Sequence, residues 1–127
     1  MATEPNIKAY IFDFNGVIHR NFGIDDELLE YIAELQTEVT TAVFTSFDSL
    51  TVAKLFEGRE VVPFDHLFTR DNIMALKPEP AAYLEVAKEL GYAPEECLMI
   101  DDSTDNIIGA QKAGMRTVHY SDISDLK

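Results

Sequence analysis

At 127 residues with 46% hydrophobic content, the chain is long enough for one packed domain and too short for two. A formal net charge of −13 disfavours partners that need a basic surface, nucleic-acid backbones and anionic membranes among them. No apolar run approaches the ~20 residues of a membrane span, the first residues lack the basic and apolar regions of a signal peptide, and the single cysteine, Cys97, fits a reducing compartment. The expectation is a soluble, cytoplasmic protein.

In chain order, strand-like runs alternate with helical patterns. Residues 7–12 form an apolar, β-prone run that delivers Asp13 into a turn containing Gly16. Ile24, Leu28, Leu29, Ile32 and Leu35 then recur at the spacing of one buried helix face, with Asp25-Asp26 near its start. A second strand run at 40–44 ends in Thr45-Ser46, followed by Val52, Leu55 and Phe56 as a short helical pattern closed by Gly58. A third run occupies 65–69. Lys77-Pro78-Glu79-Pro80 leads into Tyr83, Val86, Ala87 and Leu90, and this helix stops at Gly91. The run 97–100 holds Cys97 as a core residue and opens onto Asp101-Asp102-Ser103-Thr104-Asp105-Asn106. Ile107, Ile108, Ala110 and Ala113 carry the last helix to Gly114, and 116–120 is the last strand run.

Strand alternating with helix predicts a parallel sheet covered on both faces. Right-handed crossovers then place every strand C-terminus along one edge, where open α/β sheets bind ligands. Asp13, Thr45 and Asp101-Asp102 all fall at such ends.

Each of these residues has a chemical reading and a plainer one. A carboxylate at Asp13 is ionised at neutral pH and can act as a nucleophile toward phosphorus; it also suits a simple turn before glycine. The Thr45 hydroxyl and the Ser46 N–H can hold a phosphate oxygen, or Thr45-Ser46 can be an ordinary helix N-cap. Lys77 can offset the charge of a phosphate crowded by carboxylates, or be one more surface lysine. The hard oxygens of the acidic turn suit Mg²⁺, although an acidic helix start is also favoured by the helix dipole alone.

In this order, Asp13-Phe14-Asn15, Thr45-Ser46, Lys77-Pro78-Glu79-Pro80 and Asp101 to Asn106 with Ala113-Gly114-Met115 resemble the haloacid dehalogenase superfamily, most of whose members are Mg-dependent phosphohydrolases. The resemblance runs from about residue 7 to residue 120 and leaves no room for an inserted cap, so residues 1–127 read as one capless domain. It implies a Rossmann-like three-layer sandwich with a five-stranded parallel sheet. It further implies Asp13 as nucleophile and metal ligand, Asn15 as a metal ligand through its backbone carbonyl, and Asp102 as the second metal carboxylate. Thr45 and Ser46 would bind the phosphate, Lys77 would stabilise charge, Asn106 would be the motif's second polar position, and Asp101 and Asp105 would be supporting or turn residues.

One position departs from the family's phosphatases, which carry an acid/base aspartate where this chain has Asn15. Asparagine has nearly the shape of aspartate and no titratable proton, so the ~10²–10⁴-fold worth of a positioned acid–base group is at stake. The site is naturally impaired or rewired, or is a binding module, or carries a deliberate change; the residues leave these open. The implied function is Mg²⁺-dependent phosphatase hydrolysis through an aspartyl phosphate, on a phosphorylated substrate that is macromolecular or is enclosed by a partner subunit. The alternative is a non-catalytic phosphate- and Mg-binding or regulatory domain of the same fold. His19, in a stretch that the family's geometry makes a flap over the site, is a minor candidate for the missing acid. His66 and His119 read as packing residues.

Overall fold

The computed structural model describes residues 6–21, 23–56, 59 and 63–127. Among the described residues, seven strands and four α-helices follow in the order β1 (Ala9–Phe12), β2 (His19–Arg20), β3 (Gly23–Ile24), α1 (Asp26–Leu35), β4 (Thr40–Phe44), α2 (Ser49–Leu55), β5 (His66–Phe68), α3 (Pro80–Leu90), β6 (Cys97–Asp101), α4 (Thr104–Lys112) and β7 (Arg116–His119). Five of the strands form one sheet in the order β5-β4-β1-β6-β7. Every pairing in it is parallel, β1 lying between β4 and β6 with Phe12 opposite both Val43 and Ile100.

Side chains alternate between the two faces of each strand, and the core splits accordingly. Tyr10, Phe12, Val43, Leu98 and Ile100 pack with Leu28, Ile32 and Leu35 of α1 and Val52 of α2. Ala9, Ile11, Ala42, Phe44, Cys97 and Met99 pack with Ala82, Tyr83 and Val86 of α3 and Ala110 of α4. Helices α1 and α2 therefore cover one face, and α3 and α4 the other, as the alternating pattern predicted.

Local chemistry sets the helix ends. Asp25 caps α1 by accepting from the Leu28 N–H at 3.2 Å, and Ser103 caps α4 by accepting from the Asn106 N–H at 3.4 Å; such caps are each worth ~1 kcal/mol. Pro80 opens α3, where its missing N–H costs nothing, and Gly91 closes it at φ 84°, a left-handed position that suits glycine. The closure expected of α2 at Gly58 lies outside the described residues.

Two features differ from the sequence expectations. Residues His19–Arg20 and Gly23–Ile24 pair antiparallel as a small hairpin ahead of α1, so Ile24 belongs to β3 rather than to the helix. His66 and His119, expected to pack inside, are exposed at strand ends. Among the described residues, no helix is long and apolar enough to cross a membrane.

Candidate active site

The site lies at the C-terminal edge of the sheet. Asp13 follows β1 directly, and its N–H donates to the Ile100 carbonyl at 2.9 Å, which ties the start of the turn to β6. Residue parity continues past the strands: Asp13 is in step with Ala9 and Ile11, and Asp101 with Cys97 and Met99. Both carboxylates thus emerge on the α3–α4 side, where the loop between β5 and α3 delivers Lys77.

The Lys77 ammonium lies 3.0 Å from Asp13 Oδ1 and 3.1 Å from Asp101 Oδ2. It also donates to the Phe44 carbonyl at 3.2 Å and sits 5.0 Å from the centroid of the Phe44 ring. Two of its N–H donors are thus hydrogen-bonded and the third contact is the ion pair with Asp101, and the side chain is only 2% exposed. This is no surface lysine. The Lys77–Pro78 peptide is cis. The Pro78 carbonyl rests against α4 at Gly109, where a Cβ would fall 1.9 Å from that oxygen.

Asp101 is fully buried. Its Oδ1 accepts from the Ser103 N–H at 3.0 Å and its Oδ2 from Asn106 Nδ2 at 3.2 Å, so it joins Lys77 to the start of α4. These contacts link Asp101 to Lys77 as well as to the turn. Asn106, expected as the motif's second polar position, contacts Asp101 through its Nδ2.

Asp102 is exposed and comes down onto the first turn. A Cβ at Gly16 would lie 2.2 Å from Asp102 Oδ2, and Gly16 has φ 91°, so glycine alone leaves room for that carboxylate. Its backbone carbonyl is 3.0 Å from His119 Nε2, a contact that sequence reading did not anticipate.

Asp13, Asp101 and Asp102 each offer a carboxylate oxygen, and these oxygens lie within 4.8 Å of one another. Burial above all, with Asp101 beside it, pushes the Asp13 carboxyl up to about 7, although the Lys77 charge pulls the other way. Three carboxylates facing one ammonium leave an excess of negative charge on hard oxygens. That donor set fits a small divalent cation such as Mg²⁺.

Thr45 is buried, its N–H bonded to the Phe68 carbonyl at 3.0 Å. Its Oγ1 accepts from the Phe47 N–H at 3.1 Å, which leaves the hydroxyl proton to donate into the cleft. The ordinary N-cap reading of Thr45-Ser46 is displaced by Asp48, which caps α2 by accepting from the Thr51 N–H at 2.7 Å. Ser46 is exposed at the rim. A cleft of about 250 Å³ brings together Asp13, Asn15, Thr45, Ser46, Lys77 and Asp102, with Phe47, Ser103 and Asn106 completing its wall. A wider hollow of about 640 Å³, lined by residues such as Lys8, Thr37, Thr40 and Tyr92, contains none of the expected site residues.

Asn15 is exposed and forms an isolated backbone bridge with His19. The His19 ring stacks on Phe14 at 5.8 Å between centroids. Asp105 is exposed in the first turn of α4 and does not line the cleft.

The family model for haloacid dehalogenase-like hydrolases matches residues 2–120, and the chain belongs to that family. Among curated relatives, Pyrophosphatase PpaX of Bacillus cereus is 38% identical over 58 residues, 46% of this chain and 27% of that protein. Hexitol phosphatase A of Escherichia coli is 33% identical over 78 residues, 61% of this chain and 36% of that protein. The chain spans about half or less of the length of the curated relatives it matches first. A haloacid dehalogenase family enzyme of Bacteroides thetaiotaomicron, solved in complex with magnesium and inorganic phosphate, superposes with a TM-score of 0.80 at 16% identity, covering 94% of this chain and 98% of that one. At that identity the likeness shows the shared fold.

Proposed function

We propose that the chain is a Mg²⁺-dependent phosphohydrolase that passes through an aspartyl phosphate on Asp13. The observation that carries this reading is the buried Lys77 ammonium held between Asp13 and Asp101 at 3.0 and 3.1 Å, in a cleft that Asp102 and Thr45 also line. The names of the phosphatase relatives and the magnesium and phosphate bound by the structural neighbour support it.

Mg²⁺ held by Asp13, Asp102 and the Asn15 backbone carbonyl would supply positive charge against the phosphate oxygens. The chain's own groups do the rest. Thr45 donates its hydroxyl proton to a phosphate oxygen, and the Ser46 N–H offers a second donor at the rim. Lys77 lowers the cost of gathering anionic groups by its charge, held between Asp13 and Asp101. An Asp13 carboxylate oxygen attacks phosphorus as the bond to the leaving oxygen breaks, and that oxygen takes up a proton. Hydrolysis of the acyl phosphate then needs a water activated by a base. Asn15 can neither give the first proton nor take the second.

Between β1 and α1 the described residues form only the small hairpin, which supports a site without an inserted cap. The substrate is a phosphorylated molecule.

The side chain of Asn15 favours a second reading, a phosphate- and Mg-binding or regulatory domain without turnover. Hydrolysis of an aryl phosphate, with and without Mg²⁺, on the chain and on Asn15→Asp separates the two. A good leaving group needs little acid, so the chain should release a burst of product about equal to enzyme and then turn over slowly. Intact mass should show a phosphorylated species. Asn15→Asp should raise steady turnover by roughly 10²–10⁴-fold. No phosphoenzyme and no gain in Asn15→Asp would establish the binding reading instead.

A further inference from the structure

Beside the catalytic cleft lies a second hollow of about 490 Å³, lined by Asn15, Gly16, His19, Arg20, Asn21 and Asp102. Asn15 and Asp102 line both spaces, so the two adjoin. Position 15 is also where the leaving oxygen must sit if a side chain there is to hand it a proton, because proton transfer requires hydrogen-bond reach. With phosphorus in the cleft at Asp13, the rest of the substrate is directed past Asn15 toward this hollow.

The lining has a definite chemistry. Among the described residues that line it, every side chain apart from Gly16 is polar. Among them Arg20 alone is a lysine or arginine, in a chain that has 23 acidic against 10 basic residues. The guanidinium carbon of Arg20 stands 5.9 Å from the centroid of the Tyr120 ring, a stacking contact that orients it. The Asp122 carboxyl is lowered chiefly by the Ser124 hydroxyl and N–H, with a smaller contribution from the Arg20 charge, and among the described residues no carboxylate closes an ion pair with Arg20. Its planar fork of N–H donors remains available to an oxyanion.

We infer that this hollow receives the leaving-group half of the substrate, and that this half carries an anionic group of its own, a phosphate or a carboxylate, bound by Arg20. The inference rests on the phosphohydrolase reading and deepens it to a substrate class: doubly anionic phosphorylated compounds rather than esters of neutral or apolar alcohols. Burying an apolar leaving group against Asn15, Asn21 and Asp102 would leave polar groups without water.

The test is calorimetric titration of the chain in excess Mg²⁺ with unreactive ligands. Methylenediphosphonate is compared with methylphosphonate, and phosphonoacetate with its neutral amide; the two arms distinguish phosphate from carboxylate. In at least one arm the doubly anionic ligand should bind tenfold tighter or better than its counterpart. Arg20→Gln should lower that ratio at least threefold, and Arg20→Lys should keep most of it. Equal affinities in both arms, or a ratio that Arg20→Gln leaves intact, would overturn the inference while the phosphohydrolase reading stands. If methylphosphonate and inorganic phosphate both fail to bind, the phosphohydrolase reading falls and takes this inference with it.

Discussion

Replacing Lys77 by methionine tests the centre of the site most directly. The substitution keeps a long unbranched side chain, one atom shorter, and removes the charge that lies within 3.1 Å of both Asp13 and Asp101. At an effective dielectric of about 20, each such contact corresponds to roughly 5 kcal/mol of lost attraction. The carboxylates have an escape, since a buried acid can bind a proton instead of holding its charge. Protonating one normal carboxyl at pH 7 costs about 4 kcal/mol, which limits the penalty for each. A metal-free Lys77→Met protein should therefore be less stable by about 3–5 kcal/mol near pH 7, the usual cost of breaking a buried pair from one side.

The sign of the pH dependence follows from the same step. Carboxyls raised in the folded state bind protons that the unfolded chain has released, so the variant's stability falls as pH rises above about 4. Lowering the pH from 7 to 5 should recover up to about 1.4 kcal/mol per unit relative to the unchanged chain. Urea denaturation in EDTA at a series of pH values measures this. A loss below about 1 kcal/mol at pH 7, or one that does not vary with pH, would refute the picture of Lys77 as the charge that holds two buried carboxylates together.

Two further substitutions and conditions bear on the same cluster. Gly16→Ala should abolish the Mg²⁺-induced rise in melting temperature, because the new methyl would occupy the place of the Asp102 carboxylate; left-handed strain should add about 1–2 kcal/mol of destabilisation. In the unchanged chain without metal, the raised Asp13 carboxyl gives stability that is present below its unfolded value near 3.8 and is lost as pH rises toward about 7. Millimolar Mg²⁺ should flatten that slope by favouring the ionised form, and Asp13→Asn should remove it; a slope unchanged in Asp13→Asn would assign it to the chain's general acidity.

The helices were legible because each spends its apolar residues at one period, as in Leu28, Ile32 and Leu35 on α1, and the paired strands as short apolar, β-prone runs between them. The strand-end positions of Asp13, Thr45 and Asp102 followed from crossover handedness without any family pattern. The hairpin at His19–Ile24 escaped because strands of two residues carry no period. Its turn signal was limited to Asn21 and Gly23. Asp101, read as a supporting or turn residue, has its burial written in the strand: counting in twos from Cys97 and Met99 places it on the buried face beside Asp13. His66 and His119 look internal from their strand context, but each lies at an end of an edge strand, β5 or β7, that is only partly buried.

The two faces of the sheet divide the labour of the site. Asp13, Asp101 and Lys77 are the polar crown of the core packed by α3 and α4, which fixes their spacing as firmly as the apolar layers beneath. The hairpin and the strand ends next to α1 belong to the other side, where the hollow beside Arg20 opens. Changes confined to the hairpin therefore leave the Asp13–Lys77–Asp101 cluster and the layers beneath it in place. The shape of the neighbouring hollow and the stability carried by that cluster can vary separately.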